Sequence, residues 1–342
     1  MKLTQNATYC IALELTGCQG MEWPFYTSKI VECTNLELLH AILTCGMPNQ
    51  FISPWHHEKR TQEFISKISM VENSLIVSDG YLLKSPTTEY LDASEKSVNS
   101  YYLGLIFTKL FSMREFDVDY FLHTTIFEQI YGKESLICNG RKKPSFVGYQ
   151  KNTDQWSIWE STGKRDHAPK ALDDADNLVL GIKTINDMQP SYAIACMTYF
   201  DSKHGELQGI LRNAAEGKKA NIVFDKEQYL TLYYRHICEI FDESLRRKPF
   251  DSVIDYIDGY LEIELELFGL NIDSSDKDEY LRKRRIKLGV PKDILGYFQY
   301  NRGMYADDTT ITSIVESLQI KPEDYQEENF FMGKDGIYFR II

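Results

Sequence analysis

The residues best suited to chemistry in this sequence stand close together, near the middle of the chain. A carboxylate, Glu160, is followed by Gly163 and then by two cations, Lys164 and Arg165. Carboxylate oxygens are the ligands that hard divalent cations take in proteins. Clustered lysine and arginine side chains are what contact with phosphate requires. The stretch therefore combines a metal-ligand type with a small local positive charge.

Two predicted strands and a helix must position these residues. Phe146–Tyr149 and Trp156–Glu160 have strand composition, and the residues between them, 152–154, have the composition of a turn. An amphipathic helix is predicted over 169–187, because proline suits its first turn and apolar residues recur at helical spacing. Tyr192–Phe200 predicts a strand buried on both faces. We expect an antiparallel hairpin, with the last strand in the same sheet and the helix packed across one face.

This order of elements resembles the core of nucleases of the PD-(D/E)XK superfamily. Pro144-Ser145 stands where the superfamily has Pro-Asp, and 160–162 (Glu-Ser-Thr) stands where it has Glu-x-Lys. The resemblance covers about residues 141–200 and extends back to the helix predicted near 98–114. It implies a restriction-endonuclease-like mixed sheet, in which the residue before the first strand and the carboxylate on the second strand converge.

The resemblance also implies a metal site, in which two carboxylates hold a divalent ion and a lysine orients or activates the attacking water. Here Ser145 and Thr162 occupy the Asp and Lys positions. Glu160 is then the remaining candidate metal ligand and candidate catalytic carboxylate. A hydroxyl group is a weak substitute for a carboxylate, so we predict no cofactor and lost catalysis.

In an alternative interpretation, nearby residues supply the catalytic amine and the second carboxylate. Lys164 follows Thr162 by two positions and would lie on the same strand face, so it could supply the amine. Asp154 or Glu128 could supply the second carboxylate. In this alternative the chain is an active Mg²⁺-dependent DNA endonuclease that uses Glu160 and Lys164.

Net charge limits how nucleic acid could be bound. The formal charge of −12 counts against binding over the whole surface, because phosphate contact needs clustered cations. A local basic stripe is compatible with it. Lys142 and Lys143 precede the hairpin, and Lys164 and Arg165 follow it, so these four are the candidate nucleic-acid-binding residues.

Composition excludes several other classes of protein. Seven cysteines without a CxxC pattern do not predict a structural zinc site. No run approaches the roughly 18 consecutive apolar residues of a membrane span, and the N-terminal stretch is a poor signal peptide. We therefore expect a cytoplasmic protein without a membrane partner.

The predicted fold class is α/β (α+β), in three segments. Residues 1–95 form an N-terminal α+β extension, 96–215 form the nuclease-like core, and 216–342 form a mostly helical portion that ends in a short strand. The predicted C-terminal helices are Tyr229–Leu245, Val253–Leu267, Asp278–Leu288 and Thr309–Leu318.

These inferences give one expected function and two alternatives. We expect a catalytically inactive nuclease-like protein that serves as a binding or structural subunit of a bacterial DNA-processing, restriction-modification or antiviral defence complex. It would have a protein partner, and DNA is a second candidate ligand. The alternatives are the active endonuclease and a protein–protein interaction module without a nucleic-acid role, which the acidic charge favours.

Overall fold

A computed structural model describes residues 1–3, 5–17, 26–45, 60–131, 143–214, 220–223, 225–247, 257–270, 281–300, 310–320 and 327–342. Within these residues the chain has a mixed α/β architecture, which confirms the predicted fold class. Lys142, one of the candidate nucleic-acid-binding residues, lies outside the described residues.

Strands and helices alternate along the chain. The strands are β1 (Thr8–Thr16), β2 (Tyr26–Thr34), β3 (Leu75–Ser78), β4 (Tyr81–Lys84), β5 (Tyr120–His123), β6 (Phe146–Gln150), β7 (Gln155–Gly163), β8 (Ile182–Ile185), β9 (Tyr192–Phe200), β10 (Leu207–Asn213), β11 (Ala220–Ile222), β12 (Tyr260–Leu270), β13 (Leu281–Pro291), β14 (Phe330–Met332) and β15 (Tyr338–Ile341). The helices are α1 (Asn35–Thr44), α2 (Arg60–Ser74), α3 (Ala93–Phe116), α4 (Thr124–Tyr131), α5 (Pro169–Val179), α6 (Lys226–Arg247), α7 (Lys292–Tyr300) and α8 (Ile311–Ser317), with a 3₁₀ helix over Pro86–Tyr90.

A large mixed sheet carries the predicted hairpin. Its strands lie in the order β3, β4, β1, β10, β9, β7, β6, β5, and β2 also pairs with β1. β1 runs parallel to β10, so strands from the predicted N-terminal extension and from the predicted core share one sheet. The three segment boundaries themselves stay a prediction.

The predicted hairpin is confirmed. β6 and β7 pair antiparallel, with Phe146 opposite Trp159. The turn between them includes Asp154 at a positive φ of 52°, and its carboxylate accepts a hydrogen bond of 2.8 Å from the hydroxyl of Tyr149. β7 pairs in parallel with β9, as expected for a strand that returns after a crossover helix.

Helix α3 supports one face of this sheet. Asp92 caps its N-terminus in a capping box with Glu95, which satisfies backbone N–H groups that have no partner inside the helix. The middle of the helix is fully buried and packs against β7 and β9. On the same side, Trp159 meets Phe116 edge to face at 4.9 Å. Among the described helices, none is long and apolar enough to cross a membrane.

Helix α5 is shorter than predicted. It ends at Val179 rather than near residue 187, and 182–185 form the strand β8. Gly181 follows the helix, and both Asn186 and Asp187 take positive φ angles that end the strand in a turn. The apolar stripe of the helix does continue to Ile182, but the glycine and the β-branched residues after it favour a strand.

The C-terminal part is less helical than predicted. Within the predicted helix Val253–Leu267, residues 253–256 lie outside the described part of the chain, and β12 begins at Tyr260. Its apolar residues alternate with glutamates, and Ile263, Leu265 and Leu267 are buried. An alternation with a period of two is the strand pattern, and it prevails over the apparent helical spacing.

The predicted helix Asp278–Leu288 is also wrong, because 281–291 form β13. This strand pairs antiparallel with β12 along its whole length. The pairing sets basic residues against acidic ones: Lys287 lies 3.6 Å from both Glu262 and Glu264. The acidic strand β12 and the basic strand β13, which follow one another along the chain, stabilise each other, and β14 and β15 complete this second sheet.

Candidate functional site

Strand pairing brings Ser145 and Glu160 together. Ser145 immediately precedes β6 and Glu160 lies on β7, next to the pair Phe146 and Trp159. The backbone N–H of Ser145 donates a hydrogen bond of 2.6 Å to Oε2 of Glu160, and its hydroxyl donates one of 2.9 Å to the same oxygen. Both residues are partly exposed. The expected convergence of these two positions is therefore present, and it joins one carboxylate to one hydroxyl.

This geometry fits a divalent cation poorly. Glu160 supplies the only charge of the pair, and one of its oxygens already accepts two hydrogen bonds from Ser145. Mg²⁺ binding relies on carboxylates and phosphate oxygens, and Ser145 contributes no charge. Among the described residues, no group of three or more His, Cys, Asp or Glu could hold a metal ion.

Of the two carboxylates considered as replacements, Asp154 does not join this pair. Asp154 lies in the turn at the other end of the hairpin, where it pairs with Lys226 at 3.1 Å and with the hydroxyl of Tyr149. Glu128 belongs to α4, and its side chain lies outside what the structure describes. Asp154 is therefore excluded as the second metal ligand by its position in the fold.

Lys164 lies on the strand face expected of it. β7 runs through Gly163, which pairs with Thr198, and the backbone N–H of Lys164 donates a hydrogen bond of 2.8 Å to the carbonyl of Thr198. Because side chains alternate along an extended strand, Glu160, Thr162 and Lys164 share one face. Lys164 is exposed, and among the described residues it forms no ion pair.

Gly163 has a structural role that sequence analysis did not find. A Cβ atom at this position would lie 1.7 Å from the backbone oxygen of Ser100, and one at Gly104 would lie 2.6 Å from the nitrogen of Gly163. These two glycines let α3 approach β7 closely. On the same side the hydroxyls of Thr108 and Ser161 lie 3.0 Å apart. Ser161 therefore faces the helix, away from Glu160.

Arg165 contacts a different surface from Lys164. Its guanidinium donates a hydrogen bond of 3.1 Å to Glu89 of the 3₁₀ helix, and both side chains are nearly half exposed. Lys143 is partly exposed, and burial lowers the pKa of its ammonium group. The structure thus separates the predicted pair of cations after the hairpin, and it brings Arg165 to residues that precede α3.

Those residues form a cationic cluster that the sequence did not reveal. Lys84 at the end of β4 pairs with Glu89, and Lys96 in the first turns of α3 donates a hydrogen bond of 2.8 Å to the backbone carbonyl of Glu89. Arg165 joins them from a strand end 76 positions away. No sequence motif links these positions, because the cluster depends on how β4, α3 and β7 pack.

A second polar centre lies in the core. Nε2 of His40 on α1 lies 3.0 Å from both carboxylate oxygens of Asp335, in the turn between β14 and β15. The hydroxyl of Tyr233 donates to this carboxylate, and that of Tyr234 donates to the backbone carbonyl of Asp335 at 2.6 Å. Burial alone would raise the pKa of Asp335, but the charges of His40 and Lys109 lower it.

Lys109 and Asp119 extend this centre. Lys109 is completely buried in α3 and donates a hydrogen bond of 3.1 Å to the backbone carbonyl of Asp119. Burial lowers the pKa of Lys109 to about 8 and raises that of Asp119 to about 6. Both groups are held in a medium that penalises their charged forms. Neither was singled out from the sequence, since a lysine inside a helical pattern ordinarily predicts an exposed face.

Comparison with known proteins identifies no relative. No protein-family model, curated protein or solved structure matches the chain. The functional assignment therefore depends on the geometry around Glu160 and on the resemblance found in the sequence motif.

Proposed function

We propose that this chain is a catalytically inactive nuclease-like protein that acts as a binding or structural subunit of a bacterial DNA-processing or antiviral defence complex. The observation that carries the proposal is the hydrogen-bonded pair of Ser145 and Glu160, with Oε2 accepting bonds of 2.6 and 2.9 Å. The order β6, β7, α5, β9, with the short strand β8 between α5 and β9, supports the PD-(D/E)XK-like assignment, because the resemblance implies a hairpin, a helix and a further strand in the same sheet.

Loss of catalysis follows from the two substitutions in the motif. A metal held by two carboxylates and an oriented water both depend on charged groups at the Asp and Lys positions. The hydroxyl of Ser145 is a neutral donor that hydrogen-bonds to the carboxylate of Glu160, and Thr162 has no positive charge. A chain that keeps the frame of the site without these charges is suited to binding rather than cleavage.

The binding role combines a protein partner with a local cationic surface. A charge of −12 repels phosphate over most of the protein, so any DNA contact would be confined to the end of the sheet that carries Lys164 and Arg165. A partner subunit would supply the remaining contacts. The proposal places this complex in the cytoplasm, where bacterial DNA is located.

One observation favours a second candidate, an active Mg²⁺-dependent endonuclease. β7 continues through Gly163, so Lys164 shares a face with Glu160, as a displaced catalytic amine would require. Mg²⁺ would then be held by Glu160 and by phosphate oxygens of the substrate. The protein offers one carboxylate for this ion, so its affinity for the metal would be low.

A metal titration with a nuclease assay tests the proposal. The purified chain should cleave neither duplex nor single-stranded DNA with Mg²⁺ or Mn²⁺. The substitution Ser145→Asp should restore metal binding, measured by calorimetry, because it returns the second carboxylate to the motif. Metal-dependent cleavage by the wild-type chain that Glu160→Ala abolishes would instead establish the endonuclease.

A further inference from the structure

A pocket lies where the 3₁₀ helix, the start of α3 and the end of β7 meet. Its walls include Lys84, Glu89, Lys96 and Arg165, and Ser74 at the end of α2. The three cations come from three different parts of the fold: Lys84 and Arg165 pair with the carboxylate of Glu89, and Lys96 donates to its backbone carbonyl. Three positive charges against one negative charge leave a local charge of +2, in a chain whose formal net charge is −12.

Glu89 holds these cations together in the free protein. Lys84 pairs with one of its carboxylate oxygens, and Arg165 donates to the other at 3.1 Å. The hydrogen bond from Lys84, more than any other cause, lowers the pKa of Glu89. Lysine and arginine bind phosphate in the same way, because each cation pairs with a different oxygen of one anionic group.

Ser74 gives independent evidence for a ligand. Its side chain is 1% exposed and lines the pocket, and its hydroxyl has no hydrogen-bond partner among the described residues. A buried hydroxyl without a partner loses the hydrogen bonds that water would provide. An acceptor oxygen that reached this hydroxyl would satisfy it.

The side chain of Glu89 is also exposed enough to rotate away from the cations. It belongs to a 3₁₀ helix that has no buried residue, and its side chain is 45% exposed. With Glu89 in position the cavity measures about 20 Å³, which is room for about one water molecule. Rotation of the carboxylate into solvent would open space for a larger anion at the same three cations.

We propose that this pocket binds a backbone phosphate of nucleic acid, with Lys84, Lys96 and Arg165 as its cations and Glu89 in the position of the phosphate in the free protein. The inference rests on the proposed function for its choice of nucleic acid as the source of phosphate. It adds an anion site on the α3 side of β7, whereas Glu160 and Lys164 lie on the other side.

Glu89 distinguishes this site from an ordinary solvated ion cluster. In a structural cluster, loss of Glu89 would only remove ion pairs. In a phosphate site, the same loss removes a competing anion and strengthens binding. Removal of this one competing charge should have a modest effect at an exposed site, so Glu89→Gln should tighten binding about fivefold.

The test uses fluorescence anisotropy of the full chain with labelled single-stranded and duplex oligonucleotides over a range of salt concentrations. Glu89→Gln should tighten binding about fivefold and Lys84→Ala should weaken it about as much. Lys84→Ala should also reduce the slope of log K against log salt on duplex DNA by about 0.9, the value for one phosphate contact. Lys183→Ala removes the same charge from an exposed position on β8 and should leave binding unchanged.

Opposite effects of Glu89→Gln and Lys84→Ala cannot arise from misfolding, and circular dichroism of each variant checks the fold. If neither variant differs from wild type while Lys164→Ala weakens binding, the pocket inference is overturned and the proposed function stands. If wild type binds no oligonucleotide, the inference is overturned, and the metal titration still decides the proposed function.

A second experiment adds inorganic phosphate to the full chain and measures the rise in its thermal unfolding temperature. A rise that Lys84→Ala abolishes, with oligonucleotide binding also present, supports the site. A rise without any oligonucleotide binding overturns nucleic acid as the source and favours a free phosphate compound.

Discussion

Two carboxylates of this protein, Asp335 and Glu160, each accept several hydrogen bonds, and they differ in burial. Asp335 is completely buried and meets His40, the hydroxyl of Tyr233 and the backbone of its own turn. Glu160 is partly exposed and meets the neutral donors of Ser145. The difference indicates that the buried centre is part of the architecture, whereas the exposed one is accessible to a ligand.

The buried centre resembles a catalytic dyad only in its residue types. His40 is 1% exposed and Asp335 is 0% exposed, and Nδ1 of the histidine lies 3.4 Å from the hydroxyl of Thr44. With partners at both ring nitrogens, the imidazole is held in place. An intact buried pair of this kind adds little stability over well-packed apolar residues, but the removal of one partner is costly.

The largest expected effect in this comparison is that of Asp335→Ala. Removal of the carboxylate leaves His40 and the hydroxyl of Tyr233 buried without their partner, so the free energy of unfolding should fall by about 3–5 kcal/mol. Urea unfolding followed by circular dichroism measures it. Glu160→Ala is the matched control and should cost about 1 kcal/mol. Equal losses in the two variants would contradict the distinction between the centres.

Gly163→Ala should have the next largest effect. Its Cβ would lie 1.7 Å from the backbone oxygen of Ser100, so α3 must move away from β7. Overpacking of this kind costs about 1–3 kcal/mol. Thr162→Ala, at the neighbouring position, is the control and should change the free energy of unfolding by less than about 1 kcal/mol. A neutral Gly163→Ala would mean that the close approach of helix and strand is not required.

Buried titrating groups should make stability depend on pH. Burial lowers the pKa of His123 and of His236 to about 4, below the value of about 6.5 for an unfolded chain. Between these values the unfolded state binds more protons. The free energy of unfolding should therefore fall as pH decreases from about 6.5 to 4, by at most about 1.4 kcal/mol per pH unit for each histidine.

Asp119 opposes this trend and provides its test. Its pKa is raised to about 6, so between about 4 and 6 the native state binds more protons at this group, and stability rises as pH falls. Asp119→Asn removes that contribution and should steepen the loss of stability on acidification. Urea unfolding of both proteins between pH 4.5 and 7, about the range that these pKa values span, measures the difference. Parallel curves would show that Asp119 is not protonated on folding.

The parts of the fold that sequence predicts correctly are those with local signals. The hairpin is predicted by strand-forming residues on both sides of a turn, and Asp154 adopts the positive φ that such a turn allows. α3 is indicated by apolar residues at helical spacing, and Tyr192–Phe200 by a continuous apolar run. The pairing of Ser145 with Glu160 then follows from the register of the hairpin.

The parts that the sequence predicts wrongly, or does not predict, depend on contacts between different segments of the chain. The spacing of apolar residues before Leu267 satisfies a helix and a strand alike, and the basic strand β13 decides in favour of the strand. The pair of His40 and Asp335 joins positions 295 apart, and Arg165 meets Glu89 across 76 positions. Such contacts leave no periodic pattern in the sequence, so neither polar cluster could be predicted from it.

The smallest effect should come from Ser145→Ala, which removes one of the two hydrogen bonds to Glu160. The backbone N–H of residue 145 still donates to Oε2, and water can replace the hydroxyl because both residues are partly exposed. The free energy of unfolding should fall by about 1 kcal/mol or less, as measured by urea unfolding. Ser157→Ala is the control: Ser157 is completely buried, and its hydroxyl accepts the hydrogen bond of 2.9 Å from the indole N–H of Trp159. Its loss leaves a buried donor without a partner and should cost more, about 1–3 kcal/mol. If Ser145→Ala were the more damaging change, the Ser145–Glu160 pair would belong with Asp335 among the structural centres, and its role in binding would have to be abandoned.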